Sequence, residues 1–374
     1  YFVRTGFAAG DARTRIPVIP FLLDSNSIND DTEFSIDFTS GNEKYEFSFG
    51  LNKNEVTYEN LVVYRSKQPS LLYDRTSVNG MQSIKFGSSF TGAKKQLWDI
   101  TRKNSLFLSA AATAGSTVIQ PAFKSLAYDV KRYDATLYAN ELTEIKKLFI
   151  KGDSRARVLS QLIKFADIGI DDIDVRQAES VFGLKEPFVD LKDFPEEARN
   201  IIEEDFKWSF SYDLFFHHKG VGDGLWFNSH QESEGTKAAL AFFFVALNSL
   251  NSGSLALIDE LDSSLHPTLL RDFVSLFSDP ETNPKGAQLI FSTHDVTLMT
   301  RTSPMEEVLE RDQVWFVEKD SEGTSQLIAA MEYSPRANEN LGRNYLNGVY
   351  VPLPNPSFHQ LVAQLMKEGA EING

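Results

Sequence analysis

Two short, uninterrupted apolar runs, Leu255-Ala256-Leu257-Ile258 and Leu289-Ile290-Phe291, each break off abruptly into polar residues. Runs of this length without alternation mark strands buried on both faces of an α/β sheet. Val314-Trp315-Phe316-Val317 reads as a third such strand. Helical segments, Lys237 to Leu250 and Pro267 to Phe277, lie between the runs, so residues 213–374 read as one layered α/β core.

What the runs end in carries the chemistry. Leu255 to Ile258 leads into Asp259-Glu260, which places two carboxylates at the carboxyl edge of the sheet, where α/β folds bind ligands. Successive strand residues point opposite ways, so one acid can hold Mg²⁺ through its hydration shell while the other orients a water. Alone, the pair also suits the plain opening of a loop. Next comes Leu261-Asp262-Ser263-Ser264-Leu265-His266-Pro267, a polar turn with Pro at the first helical position, which could be no more than a helix start. The second run ends Phe291-Ser292-Thr293-His294-Asp295. A lone His at a strand end is usually structural, but His294 lies one strand beyond the Asp-Glu pair, and both could reach one ligand.

Upstream, Glu232-Ser233-Glu234-Gly235-Thr236 precedes an apolar helix. Ser233 can cap it, and Gly235 lets backbone N–H groups approach an anion at the positive helix end. The letters are weak evidence by themselves. Ser321-Glu322-Gly323-Thr324 repeats them where a plain β-turn is expected, between Val314–Lys319 and Leu327–Ala329.

The rest of the chain divides by periodicity. Phe34, Ile36 and Phe38 alternate, a Ser-Gly-Asn turn follows, then Tyr45, Phe47 and Phe49 alternate, which predicts a β-hairpin with one buried face. Val56 to Tyr64 and Leu71 to Tyr73 extend it, giving an antiparallel β-layer over 1–93. Residues 94–212 read as a compact helical lobe. Leu159, Leu162, Ile163 and Ala166 have amphipathic-helix spacing, a strand-like stretch follows Asp167, and 186–206 is a charged surface segment. His217 and His218 have no suitably spaced acidic partners and read as a solvated strand end. Arg155, Arg157 and Lys164 read as helix surface, and no Ser has the setting of a serine hydrolase.

Composition narrows the function classes. The absence of Cys removes disulfides, zinc knuckles and thiol nucleophiles. A net charge of -15 weighs against wrapping nucleic acid, which favours the opposite sign. No stretch reaches the roughly 18 apolar residues of a membrane span, and no secretory signal segment is present; the expected location is cytoplasmic, without a membrane partner.

The order of these pieces is specific. Ser-x-Gly-Thr opening a helix, a strand ending Asp-Glu, a Ser-Leu-His-Pro turn and a strand ending Ser-Thr-His-Asp resemble the ABC-type ATPase heads. The sequence is similar to the AAA-type ATPases of the abortive-infection group (RloA- and AbiL-like), related to SMC, RecF and OLD heads. The similarity includes Phe165-Ala166-Asp167-Ile168-Gly169-Ile170, Arg311 to Asp320, Asn344 to Tyr350 and the hairpin near 33–50, nearly the whole chain.

This resemblance implies an α/β P-loop NTPase head of ABC type with an N-terminal antiparallel β-layer and an inserted helical lobe. It implies ATP and Mg²⁺ as cofactors, Asp259 as the Mg²⁺-associated acid and Glu260 as the base polarising the attacking water. His294 would contact the γ-phosphate. Ser233, Glu234, Gly235 and Thr236 would form the signature segment, with Glu234 where many ABC proteins have Gly. Asp262 and Ser263 would communicate across a dimer. The signature of such heads acts on nucleotide held by the other subunit, so a homodimer or higher oligomer is expected. The implied function is a nucleotide-driven switch in anti-phage defence, with a separately encoded toxin or nuclease as effector. The alternative is a RecF- or SMC-like repair head acting on DNA.

One part of the pattern is not in the sequence. The family's phosphate-binding G-x-x-x-x-G-K-[ST] loop has no match here. Family order places it before Tyr1, and the expectation is that residues 1–374 alone are inactive as an ATPase.

Overall fold

Strict alternation over residues 32–51 produces the hairpin. Strands β1 (Thr32–Ser40) and β2 (Glu43–Leu51) pair antiparallel with Phe34 opposite Phe49, Ile36 opposite Phe47 and Phe38 opposite Tyr45. The rings of Phe34 and Phe49 stack at 4.9 Å, a cross-strand pairing of the kind that stabilises sheets. Gly41 turns the chain at φ +60, a left-handed conformation open to glycine without steric cost. Strands β3 (Val56–Tyr64), β4 (Ser70–Val78) and β5 (Met81–Phe86) complete a five-stranded meander in the order β1-β2-β3-β4-β5.

The computed structural model describes residues 2–7, 11, 13–25, 27–134, 138–166, 169–177, 212–220, 224–300, 308–336, 339–351 and 358–372. They fall into two units, Tyr1–Thr293 and His294–Gly374. The charged segment expected at 186–206, and Asp167 and Ile168, lie outside the described residues.

The apolar face of the β-layer is covered by helices that sequence assigned to the lobe. After the short α1 (Phe2–Thr5), helices α2 (Lys94–Asp99), α3 (Phe107–Thr113) and α4 (Gln120–Lys124) follow. Phe107, Leu108, Ala111, Ile119 and Ala122 share one core with Tyr45, Phe47, Leu61, Leu72 and Tyr73. Residues Phe107 to Ala112 of α3 are all buried, and a helix apolar all round belongs inside a core. The expected boundary at 93 therefore does not divide the packing.

Beneath this core lies a wholly buried ion pair. Arg75 Nη1 is 3.2 Å from a carboxylate oxygen of Glu59 and donates to the Ser105 carbonyl at 2.6 Å. Glu59 also accepts the N–H groups of Phe107 at 2.6 Å and Leu108 at 2.9 Å. Those N–H groups open α3 and have no acceptor within the helix, so Glu59 stitches the helix end to the sheet.

The lobe proper is built from α5 (Ala139–Lys151), α6 (Ser154–Ala166) and an antiparallel sheet of β7 (Ile170–Gln177), β8 (Tyr212–His218) and β9 (Leu225–Asn228). Its core joins Ile145, Leu159, Ile163, Ile173 and Phe216 to Ala239, Leu240 and Phe244 of helix α7 (Glu234–Ser252). Strands β8 and β9 thus pack with the lobe across the expected boundary at 212.

One further strand, β6 (Val130–Asp134), leaves the lobe sequence and pairs parallel with β10 (Leu255–Asp259), which pairs parallel with β11 (Gln288–Phe291). Helix α7 packs on β10, and α8 (Pro267–Ser278) packs on β11. Sequence placed β10 and β11 between two covered faces. Instead Ala256 and Ile258 are buried while Leu257 is half-buried and Ile290 is 61% exposed, so among the described residues one face is covered more fully than the other.

The second unit corrects another expectation. Val314 to Val317 does not join the parallel sheet; β12 (Trp315–Lys319) forms an antiparallel hairpin with β13 (Ser325–Ala329). Phe316 stacks on Tyr345 and Tyr350 at 5.5 and 5.1 Å, while Trp315 and Val317 are 53% and 67% exposed. Only alternate residues are buried, as a two-stranded ribbon with one packed face requires. The turn expected at Ser321 to Thr324 is present, with Gly323 at φ +86. Helices α9 (Leu341–Leu346) and α10 (Phe358–Ile372) follow.

Candidate functional site

Three parallel strands bring their carboxyl ends to one edge, and Asp259 stands on the middle strand opposite Asp134. The ladder is interrupted there. Ser292 N–H donates to the Ile258 carbonyl at 3.1 Å, and the next bond, Leu261 N–H to the Ser292 carbonyl at 3.0 Å, skips Asp259 and Glu260. Both acids are exposed, whereas Leu261 is fully buried and anchors the chain just beyond them.

Glu260 takes φ +52. For a residue with a Cβ this left-handed conformation costs about 1–2 kcal/mol, and such strain persists where the surroundings over-determine it. The surroundings here are explicit. Ser292 Oγ accepts the Glu260 N–H at 2.8 Å and donates to the Asp259 carboxylate. On the other side, the N–H and hydroxyl of Ser263 both donate to the Glu260 carbonyl at 2.9 Å. Sequence reasoning gave Ser292 no role of its own. Its only signal was position, directly after the second apolar run.

The turn after Glu260 touches the helix that carries the Ser-x-Gly-Thr segment. Ser264 sits at φ +67, and a Cβ placed on Gly235 would lie 3.1 Å from the Ser264 carbonyl oxygen. Only a residue without a side chain lets the two backbones approach so closely unperturbed. The structure therefore brings Ser233, Glu234, Gly235 and Thr236 beside the turn that contains Asp262 and Ser263. Ser233 caps α7 by accepting the Thr236 N–H at 3.0 Å, as its sequence suggested. His266 caps α8 through Nδ1, with Pro267 in the first turn.

Glu234 is held from two directions. Lys237 Nζ lies 2.5 Å from its carboxylate, and the Tyr138 hydroxyl donates to the same group. The Lys237 ammonium first, then the Tyr138 hydroxyl, keep the Glu234 carboxyl below the usual carboxylate range. Just before the cap, buried Glu232 pairs with His218, and its other oxygen accepts the Ser233 N–H at 3.3 Å. His217 pairs with Asp171. The two histidines are therefore partly buried and acid-paired, not a solvated strand end, because β8 brings them beside acids remote in sequence. Among the described residues no group of three or more His, Asp or Glu is gathered for a metal cage.

His294 opens the second unit. It is exposed, and the next residue, Asp295, caps a short 3₁₀ turn by accepting the Thr297 N–H at 2.8 Å.

Residues 2–300 match the family described as "AAA domain, putative AbiEii toxin, Type IV TA system". The chain belongs to this AAA family. It is accordingly an AAA-type ATPase domain of the P-loop NTPase class, with a mixed α/β fold. No curated protein matches this AAA domain. Among solved structures it is similar to the recombination mediator protein RecF-ATPrS of the RecFOR pathway, at 13% identity over 69% of this chain and 76% of that chain, with a TM-score of 0.19. None of the described helices is long and apolar enough to cross a membrane.

Proposed function

We propose that this AAA domain is a nucleotide-driven switch head of the ABC kind, in which Glu260 is the general base and Asp259 the acid that holds Mg²⁺ through water. The observation that supports this most strongly is the left-handed backbone of Glu260, fixed by Ser292 and Ser263 at the carboxyl edge of a parallel sheet. A fold does not hold a charged side chain in so costly a conformation for packing, because Glu260 is exposed.

The residues fit the cofactor chemistry. Mg²⁺ bound with a nucleotide keeps several waters and takes only one or two carboxylates, which suits the exposed Asp259 without a multi-acid cage. The cation would neutralise charge on the phosphates. Glu260 would orient and deprotonate the attacking water. Ser233 to Thr236 would present the positive end of α7 to nucleotide held by a second copy, and Asp262 and Ser263 would report across that dimer.

The words "AbiEii toxin" and "Type IV TA system" in the family's description favour a defence setting; in this reading dimer closure would be passed to a separately encoded toxin or nuclease. The alternative is direct action on DNA, which the net charge of -15 disfavours. DNA binding with a steep log–log salt dependence would replace the defence reading.

The decisive variant is Glu260→Gln in the full-length protein. Loss of a general base removes roughly 10²–10⁴-fold of turnover, while ATP binding and an ATP-dependent dimer persist. Turnover at the wild-type rate removes Glu260 from the role of base.

A further inference from the structure

The first turn of α7 is tied to a part of the chain remote in sequence. Strand β6 runs beside β10 as far as Asp134, opposite Asp259. Four residues later Tyr138, itself half-buried, reaches Glu234 across 96 positions of sequence. Its hydroxyl donates to the Glu234 carboxylate and lies 3.4 Å from the Glu234 carbonyl oxygen.

A Glu at the first helical position with a Lys three residues on is ordinary helix-end chemistry. Tyr138 is not required for it. What the tyrosine adds is a fixed direction for the carboxylate. The Lys237 side chain is mostly buried while that of Glu234 is mostly exposed, so the ion pair alone holds the carboxylate from one side only. The phenol is short of freedom, with two χ angles and a partly buried ring, and it holds the carboxylate from a second side. Burial of the phenol, and then the Glu234 carboxylate, push Tyr138 up from its ordinary range, so it stays a proton donor at neutral pH.

We propose that Tyr138 is a positioning residue for the Ser233–Thr236 segment: it draws the Glu234 carboxylate aside so that the N-terminus of α7 can receive the polyphosphate of nucleotide held by a second copy. This rests on the switch reading above, in which that segment works in trans. Without the tyrosine, a carboxylate is free to face the incoming phosphates, and like charges in contact oppose association.

The test uses the full-length protein. Tyr138→Phe keeps the ring and removes the donor. ATP-dependent dimerisation, followed by sedimentation, weakens roughly 5- to 50-fold, while the affinity of dilute monomer for a fluorescent ATP analogue and the melting temperature stay at wild-type values. Adding Glu234→Gln to Tyr138→Phe restores dimerisation, because the repelling charge is gone; a merely structural role gives no such rescue. An unchanged dimerisation midpoint in Tyr138→Phe, or failure of the second substitution to rescue, overturns the proposal. The parent reading is judged separately, by whether Glu260→Gln accumulates an ATP-bound dimer.

Discussion

The hydroxyl of Ser292 donates to the carboxylate of Asp259 and in the same position accepts the Glu260 N–H at 2.8 Å. One small side chain directly after β11 thereby sets the direction of one acid and the backbone of the other. Neither acid is buried, so packing does not hold them. The geometry of the pair depends on hydrogen bonds from Ser292, just past the next strand, and from Ser263.

Ser292→Ala removes that latch and leaves both acids in place. Outer partners of metal-associated groups contribute about 10–100-fold to metal affinity or activity. The Mg²⁺ concentration needed for half-maximal turnover in the full-length protein is expected to rise by about tenfold, and Ser292→Thr, which keeps the hydroxyl, to recover most of it. A Mg²⁺ titration unmoved by Ser292→Ala separates Ser292 from the acids.

Glu260→Gly exchanges function for stability. The left-handed backbone at φ +52 suits glycine, and relief of about 1–2 kcal/mol of strain exceeds the roughly 0.4–1 kcal/mol lost to a more flexible unfolded chain. The net expectation is a gain of about 0.5–1 kcal/mol in urea unfolding, together with loss of turnover. A lower unfolding midpoint would show that Glu260 makes stabilising contacts that its exposure does not suggest.

Much of this site was legible because it is local. The run Leu255 to Ile258 ending in Asp259-Glu260, the Ser233 cap and the Pro267 helix start each declare themselves within a few residues, and each stands where its pattern placed it. What stayed hidden depends on pairing across the fold. Val130-Lys131-Arg132-Tyr133-Asp134 has neither an apolar run nor alternation, and becomes strand β6 only through its partner β10. The acid partners of His217 and His218 lie 46 and 14 positions away. Helix α3 read as lobe because its period is helical, and only the core that it enters assigns it to the β-layer. Val314 to Val317 misled for the opposite reason: a short apolar run does not say whether one face or two will be covered.

The buried pair of Glu59 and Arg75 should be the least tolerant point of the β-layer. Glu59 takes one bond from Arg75, one from the Tyr73 hydroxyl at 2.8 Å, and two from the N–H groups that open α3. Glu59→Gln removes the charge but keeps the shape, and its amide turns a donor toward groups that are themselves donors. Arg75 is left charged at 0% side-chain exposure, and breaking such a pair typically costs about 3–5 kcal/mol. The unfolding free energy from urea titration is expected to fall by that amount. In Glu59→Gln with Arg75→Met no buried charge remains, so the double variant should be more stable than Glu59→Gln alone. If the double variant is instead the weaker of the two, the cost lies in the hydrogen bonds that Arg75 makes to the Ser105 carbonyl and Gln82, and not in its unpaired charge.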